Sequence, residues 1–224
     1  MWSCTKSRRI VRDEEAPNVG YDFNGTNEYL RVEHSDLIYS DDGSITIEAW
    51  IKPETHIGLG GIVSKYHEPA VESFSFRLGP TTISNSLEFT IGNVNLTTAS
   101  GEVTLNQWQH VAATFDRTSS IMNIYVNGEL VRTYTNAGTL QLQENTSFLA
   151  IGMDYLDGAR YFEGEIDDVR IWNYARSEQQ IADTMNNELN GDDQGLVAYW
   201  KLNEAVSPFV DSTGNGHTAI RIDN

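Results

Sequence analysis

Residues 44–51, Ser44-Ile45-Thr46-Ile47-Glu48-Ala49-Trp50-Ile51, place Ile45, Ile47, Ala49 and Ile51 on one side of an extended chain and Ser44, Thr46, Glu48 and Trp50 on the other. Apolar residues recurring at every second position mark a half-buried strand, because successive side chains of extended backbone point to opposite faces. The same period predicts strands over Glu28 to Val32, Gly61 to Lys65, Ser73 to Leu78, Ser86 to Ile91, Trp108 to Phe115, Ile121 to Val126 and Phe148 to Gly152, bounded by Gly, Asn, Asp or Ser. Asn127-Gly128 lies between Met122 to Val126 and Glu129 to Arg132 and supplies the positive φ angles of a two-residue hairpin turn.

One helical segment interrupts the strands. Ser177 is its predicted cap, Gln180 completes a capping box, and Ile181, Ala182, Met185 and Leu189 form an apolar stripe before Gly191. The helix is expected to cover a sheet edge. Leu196 to Leu202 reads as a further strand, followed by the turn cluster Asp211 to Gly216. About a dozen strands without alternating helices predict an all-β fold, two antiparallel sheets packed as a jelly-roll sandwich. We read one domain over 18–224, preceded by a loose leader, 1–17.

The chain has 224 residues, enough for a sizeable core, and its 15 Lys and Arg against 32 Asp and Glu give a net charge of −17. That charge disfavours nucleic acid and anionic lipid as partners. Its abundant carboxylates are also the hard oxygen ligands that suit calcium. The single cysteine, Cys4, excludes an internal disulfide and a Cys-rich zinc site. Lys6, Arg8, Arg9 and Arg12 make the leader basic, and Trp2-Ser3-Cys4 reads either as the remnant of a lipoprotein processing site or as a disordered leader. No apolar run reaches the ~18 residues of a membrane-spanning helix.

The stretches Tyr21 to Leu30, Ile45 to Ile51, Trp108 to Ala112, Tyr125-Val126-Asn127-Gly128-Glu129, Phe162 to Asn173 and Leu196 to Leu202 with Asp211 to Gly216 occur in an order that resembles laminin-G-like members of the concanavalin A-like lectin and glucanase superfamily. The likeness spans about residues 20 to 217. It implies a twisted two-sheet jelly roll whose members mostly bind glycans or proteins, while a minority are hydrolases or lyases.

Retaining glycosidases of this fold carry two facing carboxylates in a Glu-x-Asp-x-x-Glu or Glu-x-Asp-x-Glu run, one to attack and one to protonate. The chain lacks such a run, and Glu163-Gly164-Glu165-Ile166-Asp167 coincides instead with a structural strand of the family. His34, His56, His67, His110 and His217 show no HExxH spacing, and no serine lies in a GxSxG elbow. Gly58-Leu59-Gly60-Gly61 lacks the Lys-Ser/Thr of a phosphate loop and reads as a hairpin or rim loop.

Calcium is the cofactor that the acidic loops favour, with two candidate sites implied by the resemblance. Similarity to the glucanases points to Asp167 with Asp22 and a carbonyl near Gly43, a structural site joining the beginning of the domain to its end. Similarity to the pentraxins points to a rim site after Ile151-Gly152, with Asp154 and Asp157. The alternative for these aspartates is turn capping. For sugar recognition, which pairs an aromatic platform with polar groups, the loop candidates are Tyr66, His67, Tyr155, Arg160 and Tyr161. Trp50, Trp108, Trp172 and Trp200 fall within strand signatures and read as packing residues. The reading is a non-catalytic, extracellular or cell-surface domain, lipid-anchored through Cys4 if the leader is a processing remnant, that recognises glycan or an extracellular protein. A glycoside hydrolase or lyase of the same superfamily and a structural spacer are the alternatives.

Overall fold

The computed structural model describes residues 20–36, 43–56, 58–65, 73–135, 140–142, 145–154 and 160–223. In chain order its strands are β1 (Tyr21–Asn24), β2 (Glu28–Val32), β3 (Ile45–Pro53), β4 (Gly61–Lys65), β5 (Phe74–Leu78), β6 (Leu87–Ile91), β7 (Val94–Thr97) and β8 (Gln109–Asp116). They continue with β9 (Ile121–Val126), β10 (Glu129–Thr135), β11 (Leu149–Ile151), β12 (Met153–Asp154), β13 (Arg160–Tyr161), β14 (Glu163–Trp172), β15 (Leu196–Trp200) and β16 (Ala219–Asp223). One helix, α1 (Glu178–Thr184), lies between β14 and β15.

The first sheet runs β1-β14-β3-β8-β9-β10, and β15 also pairs with β14. The second runs β16-β2-β11-β4-β5-β6-β7, while β12 and β13 form a small separate pair. Every pairing is antiparallel. The two large sheets meet through their apolar faces: Ile45, Ile47, Ala49 and Ile51 of β3 join Phe74, Phe76, Leu87 and Phe89 of the second sheet in one buried cluster. This is the predicted all-β sandwich, and it rests on the alternation read from residues 44–51. Asn127 and Gly128 have φ of 51° and 77°, the left-handed pair that the two-residue hairpin between β9 and β10 requires. Trp50, Trp172 and Trp200 are buried, as expected of packing residues, whereas Trp108 is half-buried just ahead of β8.

The helix differs from expectation in extent and in seat. Its capping box is present, with Ser177 and Gln180 each bonding the other's backbone N–H, but it ends at Thr184, before the apolar stripe is complete. It lies over the outer face of the first sheet and not along an edge, since Ile181 packs on Ala112 and Tyr125 and the Met185 carbonyl accepts from Trp50 Nε1 at 2.7 Å. The reason is electrostatic as much as apolar. The outer face carries Glu48, His110 and Arg170, all fully buried or nearly so, and charges removed from water need partners. Arg170 donates to the carbonyls of Thr184 (3.1 Å) and Asn187 (2.6 Å), and Arg176 bridges Glu48 to the Gln180 carbonyl. Burial opposes ionisation of Glu48, but His110, Arg176 and Arg170 more than offset it and hold the carboxyl below its ordinary range.

Asp211 organises the C-terminal part of the core. Its carboxylate accepts the N–H groups of Tyr199, Thr213 and His217 at 3.1, 3.0 and 3.2 Å and the Thr213 hydroxyl at 2.7 Å. His217 Nδ1 lies 2.9 Å from the same carboxylate, and His217 Nε2 lies 3.0 Å from Ser35 Oγ. The Asp-His-Ser order is that of a hydrolytic relay, but Asp211 is committed to closing the turn before β16, and its contacts fasten that turn to β15 and to the segment after β2.

Candidate functional site

Alternation along the second sheet decides what its outer face presents. Phe74, Phe76 and Leu78 of β5 and Leu87, Phe89 and Ile91 of β6 enter the core, so Ser75 and Arg77, with Glu88 and Thr90, face the other way. Register then assembles them into two rows. Ser64 pairs with Ser75 and Ser75 with Thr90, while Arg77 pairs with Glu88 and Glu88 with Thr97.

Arg77 is the centre of the second row. Its Nε and Nη2 donate to Glu88 Oε1 at 3.1 and 2.8 Å, and its Nη1 donates to Asp154 Oδ2. Thr97 Oγ1 donates to Glu88 Oε2 at 2.7 Å. Arg77, Glu88 and Asp154 are 2%, 5% and 0% exposed, so one guanidinium and two carboxylates form a desolvated triad with a net negative charge. Burial alone would lower the Arg77 pKa, and the adjacent Asp154 and Glu88 carboxylates raise it instead. In the first row, Ser64 Oγ donates to the Met153 carbonyl at 2.7 Å. Ser75 Oγ, Thr90 Oγ1 and Asp154 Oδ1 are buried without a hydrogen-bond partner. Buried polar atoms are usually paired, so three unpartnered oxygens beside one ion triad set this face apart from the rest of the second sheet.

The hairpin β12–β13 frames this surface. Met153 pairs with Tyr161 and Asp154 with Arg160, which brings three expected site residues, Asp154, Arg160 and Tyr161, onto one element. Arg160 Nη1 is likewise buried without a hydrogen-bond partner, and the Tyr161 ring packs with Tyr29, Phe148 and Met153. Tyr66, His67, Tyr155 and Asp157 lie outside the described residues, in segments that adjoin β4 and join β12 to β13.

Gly61, the last residue of the glycine cluster, seats the hairpin. A Cβ at this position would lie 2.1 Å from the Met153 carbonyl carbon and 2.2 Å from the Asp154 nitrogen. Both are backbone atoms that cannot rotate away, so only glycine permits the approach. Gly61→Ala is expected to lift β12 off β4 and cost about 1–3 kcal/mol. Hydrogen exchange checks it: amides of Met153 and Asp154 should lose protection selectively, and unchanged protection there would show that the contact is soft.

The structure separates the other calcium set. Asp167 pairs with Trp50 of β3, whereas Gly43 precedes Ile45 at the opposite end of that strand, near Arg117. The five steps of β3 from Ile45 to Trp50 alone put roughly 17 Å between the two levels, so Gly43 and Asp167 do not share an ion. Asp22 is exposed and pairs with Glu165, one step diagonal to Asp167 on the same face. Among the described residues no group of three or more His, Cys, Asp or Glu side chains is placed to hold a metal. Of the second set, Asp154 is fully buried, with Oδ2 accepting from Arg77 and Oδ1 without a hydrogen-bond partner.

The carboxylates of β14 are held by neighbours. Glu163 accepts from Thr55 Oγ1 at 2.5 Å, and Glu165 pairs with Lys52 at 2.9 Å. Ser75, Arg77, Glu88 and Thr90 were not singled out from sequence. Their signal was present as charged and hydroxylated residues on the polar positions of two strands, Ser73 to Leu78 and Ser86 to Ile91, but such positions ordinarily face water.

Comparisons with known proteins agree with this architecture. A protein from Bacteroides ovatus to which carbohydrate binding is ascribed superposes with a TM-score of 0.72 at 25% identity, over 91% of this chain and 58% of its own. This chain thus spans 58% of the length of that protein. A heptameric SAP-like pentraxin from Limulus polyphemus superposes at 0.61 with 19% identity, over 91% of this chain and 94% of its own. The CBM40 of the Ruminococcus gnavus IT-sialidase, solved bound to alpha2,3 sialyllactose, superposes at 0.57 with 13% identity, over 75% and 98%. No curated protein matches the chain in sequence. Among the described residues no helix is long and apolar enough to cross a membrane. A laminin-G-like family profile matches residues 24–182, most of the chain and both sheets of the core, and the protein therefore belongs to the concanavalin A-like lectin/glucanase superfamily.

Proposed function

We propose that the protein is a non-catalytic, extracellular carbohydrate-binding domain that holds its glycan on the outer face of the second sheet, beside the β12–β13 hairpin. The observation that carries this is the pairing of the partly exposed Arg160 and Tyr161 on the β12–β13 hairpin with the polar outer face of the second sheet, where Ser75, Arg77, Glu88 and Thr90 stand in register. Sugar hydroxyls both donate and accept, so they match hydroxyl and carboxylate oxygens together, and a preformed sheet holds those groups with little loss of entropy on binding. Tyr161 supplies the aromatic side of the contact. The ascription of carbohydrate binding to the Bacteroides ovatus protein, at 25% identity, supports the reading.

Catalysis is not part of it. Hydrolysis needs one carboxyl group to donate a proton and a second to act from across the bond. Here Glu88 and Asp154 share one guanidinium, and Glu163 and Glu165 are tied to Thr55 and Lys52. Calcium belongs to the reading only at the rim, where Asp154 Oδ1 and Asp157 would offer hard oxygen ligands.

A glycan array probed with the purified protein, in calcium and in chelator, tests the proposal. Binding is expected to a restricted set of glycans, which remain uncut on prolonged incubation, and Arg160→Ala should weaken it roughly tenfold. Retention in chelator would remove calcium from the site. Cleavage would favour the hydrolase, and no binding to any glycan would favour the spacer.

A further inference from the structure

From a cavity at the end of the first sheet, we infer that the protein has a second carbohydrate subsite, specific for uncharged sugars and independent of the surface around Arg77. The cavity, of about 450 Å³, is lined by Asn173, Tyr174, Gln180, Gln194 and Gly195. It lies where β14 ends, α1 begins and β15 starts, and its volume is within the range of small-molecule sites, about 300–1,000 Å³. Three of its five lining residues are primary amides and one is a tyrosine.

The lining chemistry selects the ligand. Each amide presents a donor and an acceptor side by side, which matches the paired hydroxyls of a sugar ring, and a tyrosine ring offers a flat apolar face. Gln180 accepts the Ser177 N–H through Oε1 at 2.8 Å, which leaves its two Nε2 donors for a ligand. No hydrogen bond engages the Asn173 or Gln194 amide group among the described residues. No lining residue carries a charge, and the adjoining Asp192, Asp193 and Glu178 would repel a carboxylated or sulfated sugar.

The cavity is built, not incidental to a loose loop. Asn173 N–H bonds the Gly195 carbonyl at 2.9 Å and closes its floor. Gly195 has φ of +83°, and a Cβ there would lie 2.6 Å from Tyr174 Cε1, so the ring lies flush against the glycine backbone. Trp172 packs against Tyr174 in a T-shaped contact, with centroids 6.0 Å apart and the rings 79° from parallel. Tyr174 is thereby fixed as a platform before any ligand arrives, and its main-chain carbonyl accepts from Thr46 Oγ1 at 2.7 Å.

The test is a titration of the whole chain with lactose, maltose and cellobiose, and with 3′-sialyllactose as the charged counterpart, followed by ¹⁵N NMR of side-chain amide groups. At least one neutral disaccharide is expected to shift the Asn173, Gln180 and Gln194 side-chain signals, saturating in the millimolar range, while 3′-sialyllactose does so at least tenfold more weakly. Gln194→Ala, a change at an exposed side chain, should weaken that neutral sugar roughly tenfold and leave any shifts at Arg160 and Tyr161 in place. Side-chain amides unmoved by all three neutral sugars, an equal response to sialyllactose, or an unaltered affinity in Gln194→Ala would each overturn the inference. Shifts confined to Arg160 and Tyr161 would refute this subsite and leave the sheet-face proposal standing. Shifts confined to the three amides would support this subsite and leave the sheet face to be decided by the glycan array.

Discussion

Replacing Arg77 by Met is expected to destabilise the protein by about 3–5 kcal/mol, because it removes the guanidinium that both buried carboxylates, Glu88 and Asp154, contact. For a chain of this size each kcal/mol corresponds to roughly 2–4 °C, so the melting temperature should fall by about 6–20 °C. The loss comes from what is left behind, since Glu88 and Asp154 lose the guanidinium that both contact while remaining desolvated. A triple variant, Arg77→Met with Glu88→Gln and Asp154→Asn, should therefore recover part of the loss, although it has lost more ionic contacts. If the triple variant melts below Arg77→Met, the triad is net stabilising as a unit and uncompensated charge is not the dominant cost.

Asp211→Ala is expected to cost a comparable amount, about 3–5 kcal/mol, since it orphans the N–H groups of Tyr199, Thr213 and His217 and removes the partner of a buried imidazole. The pH dependence gives this prediction its distinctive sign. Burial opposes ionisation of Asp211, but the bonds from His217, Thr213 and Tyr199 prevail and lower its pKa from 3.8 to about 2. Between about pH 4 and pH 2 the unfolded chain takes up a proton that the folded chain refuses, so the stability due to this carboxylate is present above pH 4 and fades as pH falls through 2. Urea melts of wild type and Asp211→Ala should thus differ by a constant amount above pH 4 and converge below it. A gap that stays constant down to pH 2 would show that the carboxylate is not held ionised by these contacts.

Local features were legible in sequence where the cause itself is local. Ile45 to Ile51 alternate because one face is buried, Asn127-Gly128 turns because both residues tolerate positive φ, and Ser177 with Gln180 caps a helix within four residues. The superfamily followed from the order of several such segments. The site was less legible, because its chemistry depends on register and on distant chain. Arg77 and Glu88 meet only when β5 and β6 pair, and Asp154 joins them only through the hairpin that Gly61 admits. Asp154, Arg160 and Tyr161 were singled out together because they lie within one short stretch, which β12 and β13 fold into a single hairpin. Gly43 and Asp167 were placed together by analogy, and the register of β3 against β14 holds them apart. The Ser35–His217 contact spans 182 positions, beyond the reach of any spacing rule. The helix was legible as a helix, but its seat was not, since it depends on Glu48, which lies 128 positions from the Arg176 that it pairs with.

The central claim is that the outer face of the second sheet holds the glycan, and the most direct measurement is backbone-amide mapping by ¹⁵N NMR with the tightest ligand from the array. The expected result is saturable shifts at Ser75, Arg77, Thr90, Arg160 and Tyr161, abolished together when Ser75→Ala and Thr90→Val are combined. A glycan that binds the protein while leaving those five amides unmoved would contradict the account.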